Sequence, residues 1–390
     1  MALAWKAGWG QPLESSNLSS SAALAEASCG DQVVSEDLAG SFGHWGAQML
    51  PTLPLYGRIS SAAAEDAEVR DLLLEAPAEQ RLPVLLFAVV HHLLLSGAEH
   101  DLARWYPTVG GRVDADGDPY ADFRNFVLGR RAEVVELLAT RSTQTNEIGR
   151  CAILRPAWAV VAEEVRTPLG LVELGASAGL NLLLDHWAYA YAPDGPRYGD
   201  PTREVLVEAQ GRGAALPALT ALDLGSRVGI DLAPIPVGDE EAVSWLLACV
   251  WPEQLARFKR LQAAIEVARP RPPRLVTGDI VEQLPSIAAG IPEDQHLAVQ
   301  NSWVLNYLPV PARQRLLSTL NQLGTTRDMS WVSIESPDFV PDLNFPPRPD
   351  GADEAGSDAS VAVLTTWRDG HKAVRRLADC HPHGTWLHWW

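Results

Sequence analysis

Apolar positions fall into two textures along the chain. From about residue 36 to Arg150 they recur at helical spacing, as in "AEVRDLLLEA", "RLPVLLFAVVHHLLLSG" and "FRNFVLGRRAEVVELLATR", with almost no period-two alternation. That pattern predicts an all-helical region over 36–150. Beyond it, short apolar runs ("LGLVELG", "RVGIDL", "RLVTGD", "HLAVQNS", "WVSIES") alternate with helical stretches such as "EEAVSWLLACVWPEQLARFKRLQAAIEVA" and "PARQRLLSTLNQL". Strand alternating with helix implies a mainly parallel sheet covered on both faces, here over 151–390. "LNLLLDHWAYAY" reads as the helix after the first strand, and "VAVLTTW" through "GTWLHWW" as two closing strands. The Ser-, Ala- and Gly-rich stretch 1–35 reads as a flexible tail, and 346–360 as an exposed loop.

Composition narrows the function classes. Of 390 residues 47% are hydrophobic and 21% charged, the balance of a globular protein with a full core. No run approaches the length needed to span a bilayer, and the amino-terminal stretch lacks a signal-like apolar segment, so a cytoplasmic protein without membrane contact is expected. A net charge of −18 disfavours binding along nucleic acid. Cys29, Cys151, Cys249 and Cys380 form no C-x-x-C pair, so free thiols and no metal site are expected. His91 and His92, adjacent in an apolar helix, read as satisfied core histidines, and His381 and His383 as turn residues. Oligomeric state is not readable.

The chemistry concentrates in "LVELGASAGLNLLLD" (171–185). Gly175-Ala-Ser-Ala-Gly179 spells G-x-S-x-G, a nucleophile elbow if Ser177 stood on a central strand-to-helix turn. Yet the strand before it is the first of its sheet, and no oxyanion loop precedes it. A triple of Ser177, Asp279 and His371 could still be written on paper. With Glu173 the string becomes E-x-G-x-S-x-G, close to the acidic, glycine-spaced loop after the first strand of S-adenosylmethionine enzymes. Gly175 and Gly179 would supply the backbone freedom such a turn needs, with Asn181 just beyond. A dinucleotide fingerprint fits less well, since position 177 is not glycine.

Three further strand ends carry polar groups: Asp231 in "RVGIDLAP", Asp279 in "VTGDI", and Asn301, Ser302, Asn306 and Tyr307 in "QNSWVLNY". Carboxylates there could accept hydrogen bonds from ribose hydroxyls and an adenine amine. For each acid a cap or turn role stands beside that reading. Upstream, "QTNEIGR" offers Gln144, Asn146, Glu147 and Arg150 to a substrate, or forms a capping network with an ion pair. Trp303 would place an aromatic face near a sulfonium. Residues 186–225 leave room for an extra hairpin or a lid.

Taken together, "QTNEIGR", "LVELGASAGLNLLLD", "RVGIDLAPIPV", "WLLACVWPEQLARFKRLQAAI" and "VTGD" resemble the bacterial family catalogued as domain of unknown function 2332, itself similar to class I S-adenosylmethionine-dependent methyltransferases. The resemblance implies a Rossmann-like α/β methyltransferase fold with a closing hairpin, behind an amino-terminal helical domain on the substrate side. It implies S-adenosylmethionine as cofactor, held by Glu173, Gly175, Ser177, Gly179, Asn181, Asp231, Asp279, Asn301 and Ser302. A small-molecule acceptor would meet Asn301, Asn306 and Tyr307, with Gln144, Asn146, Glu147, Arg150 and Trp303 around it. The expected reaction is methyl transfer. Aminocarboxypropyl transfer or cyclisation, a non-catalytic cofactor-binding module and a Ser177 hydrolase remain the alternatives.

Overall fold

The computed structural model describes residues 26–114, 117–200, 202–351 and 359–390, with side chains from residue 38 onward. Most of the expected tail lies outside these residues, but helix α1 (Glu26–Met49) takes in its last positions. The chain divides into two compact units.

One unit holds the described residues up to Thr145 together with Ser244–Lys259. It contains α1, α2 (Pro54–Ala64), α3 (Ala67–Arg70), α4 (Pro83–Leu95), α5 (Tyr120–Gly129) and α6 (Arg131–Thr140), and among its described residues no strand. Proline at the first turn of α2 and α4 costs nothing, because that N–H has no helical partner. α4 is apolar nearly all round and is buried accordingly. Its Phe87 stacks on Tyr56 at 4.7 Å, and Trp45 meets Trp251 edge-on at 5.5 Å. His91 is the satisfied core histidine that its surroundings predict: Nδ1 lies 3.0 Å from the Ala248 carbonyl and Nε2 2.7 Å from Thr108 Oγ1. Burial holds its pKa down at about 4.

The other unit comprises Asn146–Val243 and Arg260–Trp390. After α7 (Cys151–Val165) come β1 (Leu169–Leu174), β2 (Ala188–Ala192), β3 (Arg197–Tyr198), β4 (Leu206–Gly213) and β5 (Leu224–Asp231). The helices α8 (Glu240–Ala248) and α9 (Leu255–Ala268) follow, broken by Pro252 and each shared with the helical unit through Ser244–Lys259, then β6 (Arg274–Thr277), α10 (Ile280–Ala289) and β7 (His296–Ser302). The unit ends with α11 (Val310–Thr326), β8 (Met329–Glu335), β9 (Ser360–Arg368), β10 (His371–Cys380) and β11 (Trp386–Trp389).

All eleven strands form one mixed sheet in the order β3-β2-β4-β11-β10-β9-β8-β7-β1-β5-β6. The block β8-β7-β1-β5-β6 is parallel throughout, as alternating strand and helix predict. The chain runs outward from β1 to β5 and β6, then returns to β7 on the other side, so its order reverses between β1 and β7. In open α/β sheets ligands bind at such a switch point, outside the carboxyl ends of the strands. β9, β10 and β11 continue in antiparallel pairs, and β11 then pairs in parallel with β4.

Two expectations are corrected. The segment after the glycine loop is only a 3₁₀ turn, Leu180–Leu183, followed by β2. "AYAYA" alternates small and aromatic residues with period two, and Tyr189 and Tyr191 are both buried, so the strand period prevails over the apolar run before it. The closing element has three strands rather than two, because Pro382 and Gly384 turn the chain between β10 and β11. Residues 186–225 supply β2, β3 and β4; β2 and β3 form an antiparallel hairpin, Tyr189 opposite Tyr198.

Candidate functional site

The glycine loop leaves β1 at the switch point. Gly175 (φ +68°) and Gly179 (φ +71°) take the left-handed conformation, and so does Ser177 between them (φ +52°), where a side chain is strained. The loop folds over the end of β5: the Gly175 and Ala176 amides donate to the Ile230 carbonyl at 2.8 and 3.1 Å. A Cβ on Gly175 would lie 2.5 Å from Val304 Cγ2, so glycine is also required by the neighbouring strand-end segment.

Asp231, at the end of β5, fastens this loop. Its Oδ2 accepts the Ser177 amide at 2.8 Å and its Oδ1 accepts the Ala233 amide at 2.9 Å. "QTNEIGR" braces the other flank. Asn146 Oδ1 accepts the Leu180 amide at 3.1 Å, and the Cys151 thiol donates to Asn181 Oδ1 at 3.2 Å. Glu147 caps the turn at Gly149 and pairs with Arg260 at 3.2 Å, while Arg150 donates to the carbonyls of Pro382 and Ser302. Residues 146–150 thus form a capping network with an ion pair directly against the glycine loop. Gln144 belongs to the helical unit.

Two carboxyl groups are sealed at these strand ends. Glu173, 2% exposed, stands level with Gln300 of β7. Burial pushes its pKa up to about 8, against the amides of Asn181 and Gln300 and the charge of Arg150. Its Oε2 has no hydrogen-bond partner. Glu335, wholly buried, closes β8, and burial raises it to about 7 against the Val304 and Leu305 amides, Asn301 and Arg150. Its Oε1 accepts from Asn301 Nδ2 (2.7 Å), Val304 N (2.9 Å) and Leu305 N (3.1 Å), leaving Oε2 without a partner. Because register pairs Gln300 with Val332 and Asn301 with Ser333, Glu173 and Glu335 project from opposite faces of the sheet.

The remaining predicted residues take varied places. Asn301 is completely engaged: Nδ2 also donates to Ser333 Oγ at 3.2 Å, and Oδ1 accepts from Trp331 Nε1 at 2.6 Å. Asp279 is the N-cap of α10, its Oδ1 accepting from Val281 and Glu282. Ser302 contributes its carbonyl to Arg150. Trp303, at φ +58°, donates to Ser360 Oγ and packs edge-on against Phe339. Asn306 Oδ1 is buried without a partner, and Tyr307 is exposed.

Glu335 went unread in the sequence, although "WVSIES" ends an apolar run at an acid as "LVELG" does. The triple Ser177, Asp279 and His371 is not assembled. Ser177 follows the carboxyl end of β1, whereas His371 pairs with Arg368 beyond the amino end of β8, at the opposite edge of the parallel block. Cys151, Cys249 and Cys380 are free thiols. Among the described residues no group of three or more His, Cys, Asp or Glu is arranged to hold a metal ion, and no helix is long and apolar enough to cross a membrane.

No curated protein matches the chain. The model of one bacterial family, described as "Uncharacterized protein conserved in bacteria (DUF2332)", matches residues 41–389, as the quoted motifs led one to expect, and the chain belongs to that family.

Proposed function

We propose that the protein is an S-adenosylmethionine-dependent transferase moving a methyl group to a small-molecule acceptor, and that its parallel block is a Rossmann-like class I methyltransferase fold. One observation carries the reading: a buried carboxyl, Glu173, ends the first strand at the switch point beneath a left-handed glycine loop, with one oxygen unpartnered. A buried carboxyl oxygen without a partner is completed by a hydrogen-bond donor, and the ammonium of the cofactor's amino-acid arm is a donor of that kind.

The donor set fits the rest of the molecule. Asp231 uses one lone pair on each oxygen for the loop and keeps others for ribose hydroxyls. Asp279 caps α10 through Oδ1 alone, which leaves Oδ2 for an exocyclic amine. When bound, the cofactor supplies an electrophilic methyl group already activated by the sulfonium. The chain's residues then have to orient and desolvate the acceptor. Asn306 and Tyr307 are the groups for that, on a segment that Glu335 pins through the Val304 and Leu305 amides. Asn301 acts through Glu335 as a positioning residue.

Calorimetric titration with S-adenosylmethionine and S-adenosylhomocysteine tests the reading, on the native protein and on Asp231→Ala and Gly179→Val. Binding that both substitutions abolish is the expected result. Folded native protein that binds neither compound would overturn it. Product analysis then separates the chemistries: methyl transfer leaves S-adenosylhomocysteine, aminocarboxypropyl transfer leaves methylthioadenosine, and a binding module leaves neither.

A further inference from the structure

Arg155 is the most anomalous charge in the α/β unit. It lies in the second turn of α7 with no exposed surface, yet Nε and Nη1 have no hydrogen-bond partner. Its contacts are a hydrogen bond from Nη2 to the Thr220 carbonyl and the face of the Tyr198 ring, 4.6 Å from the guanidinium carbon. Among the described residues no carboxylate pairs with it. Guanidinium does not shed its proton at any accessible pH, so Arg155 cannot escape the cost of burial by becoming neutral. A sealed cation with unused donors is costly unless an anion completes it.

Its cover is thin. Thr220 belongs to 214–223, a surface stretch without helix or strand in which Ala214, Ala215, Ala218 and Thr220 are exposed. Tyr198 belongs to the two-residue edge strand β3. Neither residue belongs to a strand of the parallel block, and the stretch 214–223 is anchored at Leu219, Leu222 and Asp223 rather than at Thr220. The Thr220 carbonyl is the sort of neutral acceptor that an anion outcompetes, since a charge-assisted bond to arginine is stronger and can be bidentate.

We propose that Arg155 anchors an anion-binding site, separate from the strand-end site, which takes a single carboxylate or phosphoryl group beneath residues 214–223. The anion displaces the Thr220 carbonyl from Nη2 and accepts from Nη2 together with Nε along the side of the guanidinium or with Nη1 across its end, and the Tyr198 ring stacks on the guanidinium face and shields the pair from water. The site needs no second basic residue, because the donors of one guanidinium suffice for one such group.

The test uses the full chain and two probes, inorganic phosphate and acetate, with chloride at matched ionic strength as reference. Calorimetric titration and thermal unfolding are followed in the native protein, Arg155→Lys and Arg155→Met. The native protein is expected to show saturable binding and a rise in Tm with phosphate, acetate or both. A response to phosphate alone identifies a phosphoryl ligand, and one to acetate a carboxylate. Arg155→Met should lose the response, and Arg155→Lys, which keeps charge but not the fork, should weaken Kd about tenfold or more. A native protein that responds to both probes as it does to chloride would overturn the site. So would an unchanged Kd in Arg155→Lys, a comparison that stands even if Arg155→Met does not fold.

Discussion

The carboxylate of Asp231 holds the backbone amide of Ser177 at 2.8 Å, joining the end of the second parallel strand to the loop that leaves the first. The bond falls on the one loop residue that is neither glycine nor relaxed, Ser177 at φ +52°. A left-handed serine costs roughly 1 kcal/mol, a sum that one charge-assisted bond to the amide offsets.

Replacing Ser177 by glycine should therefore leave stability unchanged or raise it by up to about 1 kcal/mol, because the backbone strain goes while the Asp231 bond remains. The proposed binding of S-adenosylmethionine should survive. Denaturant unfolding and calorimetry check both, and loss of binding in a stable Ser177→Gly protein would point to a direct role for the hydroxyl.

Gly175→Ala should be more damaging. Its Cβ would press on Val304 at 2.5 Å, and the Val304 amide is tied to Glu335, so the segment cannot simply retreat. A loss of about 1–3 kcal/mol is expected. Adding Val304→Ala should restore part of it, leaving the cost of the positive φ. A double-mutant cycle reads the coupling, and additive losses would contradict the contact.

Asn301→Ala would strip one oxygen of Glu335 of a donor and leave Trp331 Nε1 without an acceptor. Each buried group so orphaned costs about 1–3 kcal/mol, which makes this among the most destabilising single changes in the unit. Urea unfolding measures it.

Stability should fall on both sides of a mildly acidic optimum for different reasons. Glu173 and Glu335 are raised from an ordinary 4.5 to about 8 and about 7, so the folded protein keeps protons that the unfolded chain has released. Their contribution is complete below pH 4.5 and drains away as pH rises towards 7 and 8. His91 is lowered from 6.5 to about 4, so its contribution is complete above 6.5 and is lost as pH falls through 4. Glu173→Gln should flatten the limb that descends between pH 4.5 and about 8 in a Tm–pH profile and leave the acid limb in place. An unchanged descent over that range would refute the assignment to Glu173.

Much of this was legible in the sequence. The parallel block and its switch point follow from apolar runs that end in "ELG", "GID", "TGD" and "QNS", because a strand buried on both faces must be apolar until it reaches the site. The loop was legible because glycine spacing encodes backbone conformation directly. Side-chain commitments were not. Nothing in "QNSWVLNY" reveals that Asn301 turns into the network of Glu335 and Trp331, since one residue's shift along a strand exchanges the faces, or that Asn306 falls on a 3₁₀ turn beyond the strand. The short turn after Gly179 was masked by "LNLLL", whose apolar residues suit a helix, while the decisive "AYAYA" lies just downstream.

The pairing of β4 with β11 gives the sheet a seam between segments made far apart in time. On the ribosome β2, β3 and β4 emerge early, and no strand of the parallel block is available to them as a neighbour. Until Trp386–Trp389 arrive, β4 carries an open edge, with the backbone donors and acceptors that invite pairing with another chain. The four residues of β11 therefore shield the β4 edge from that pairing.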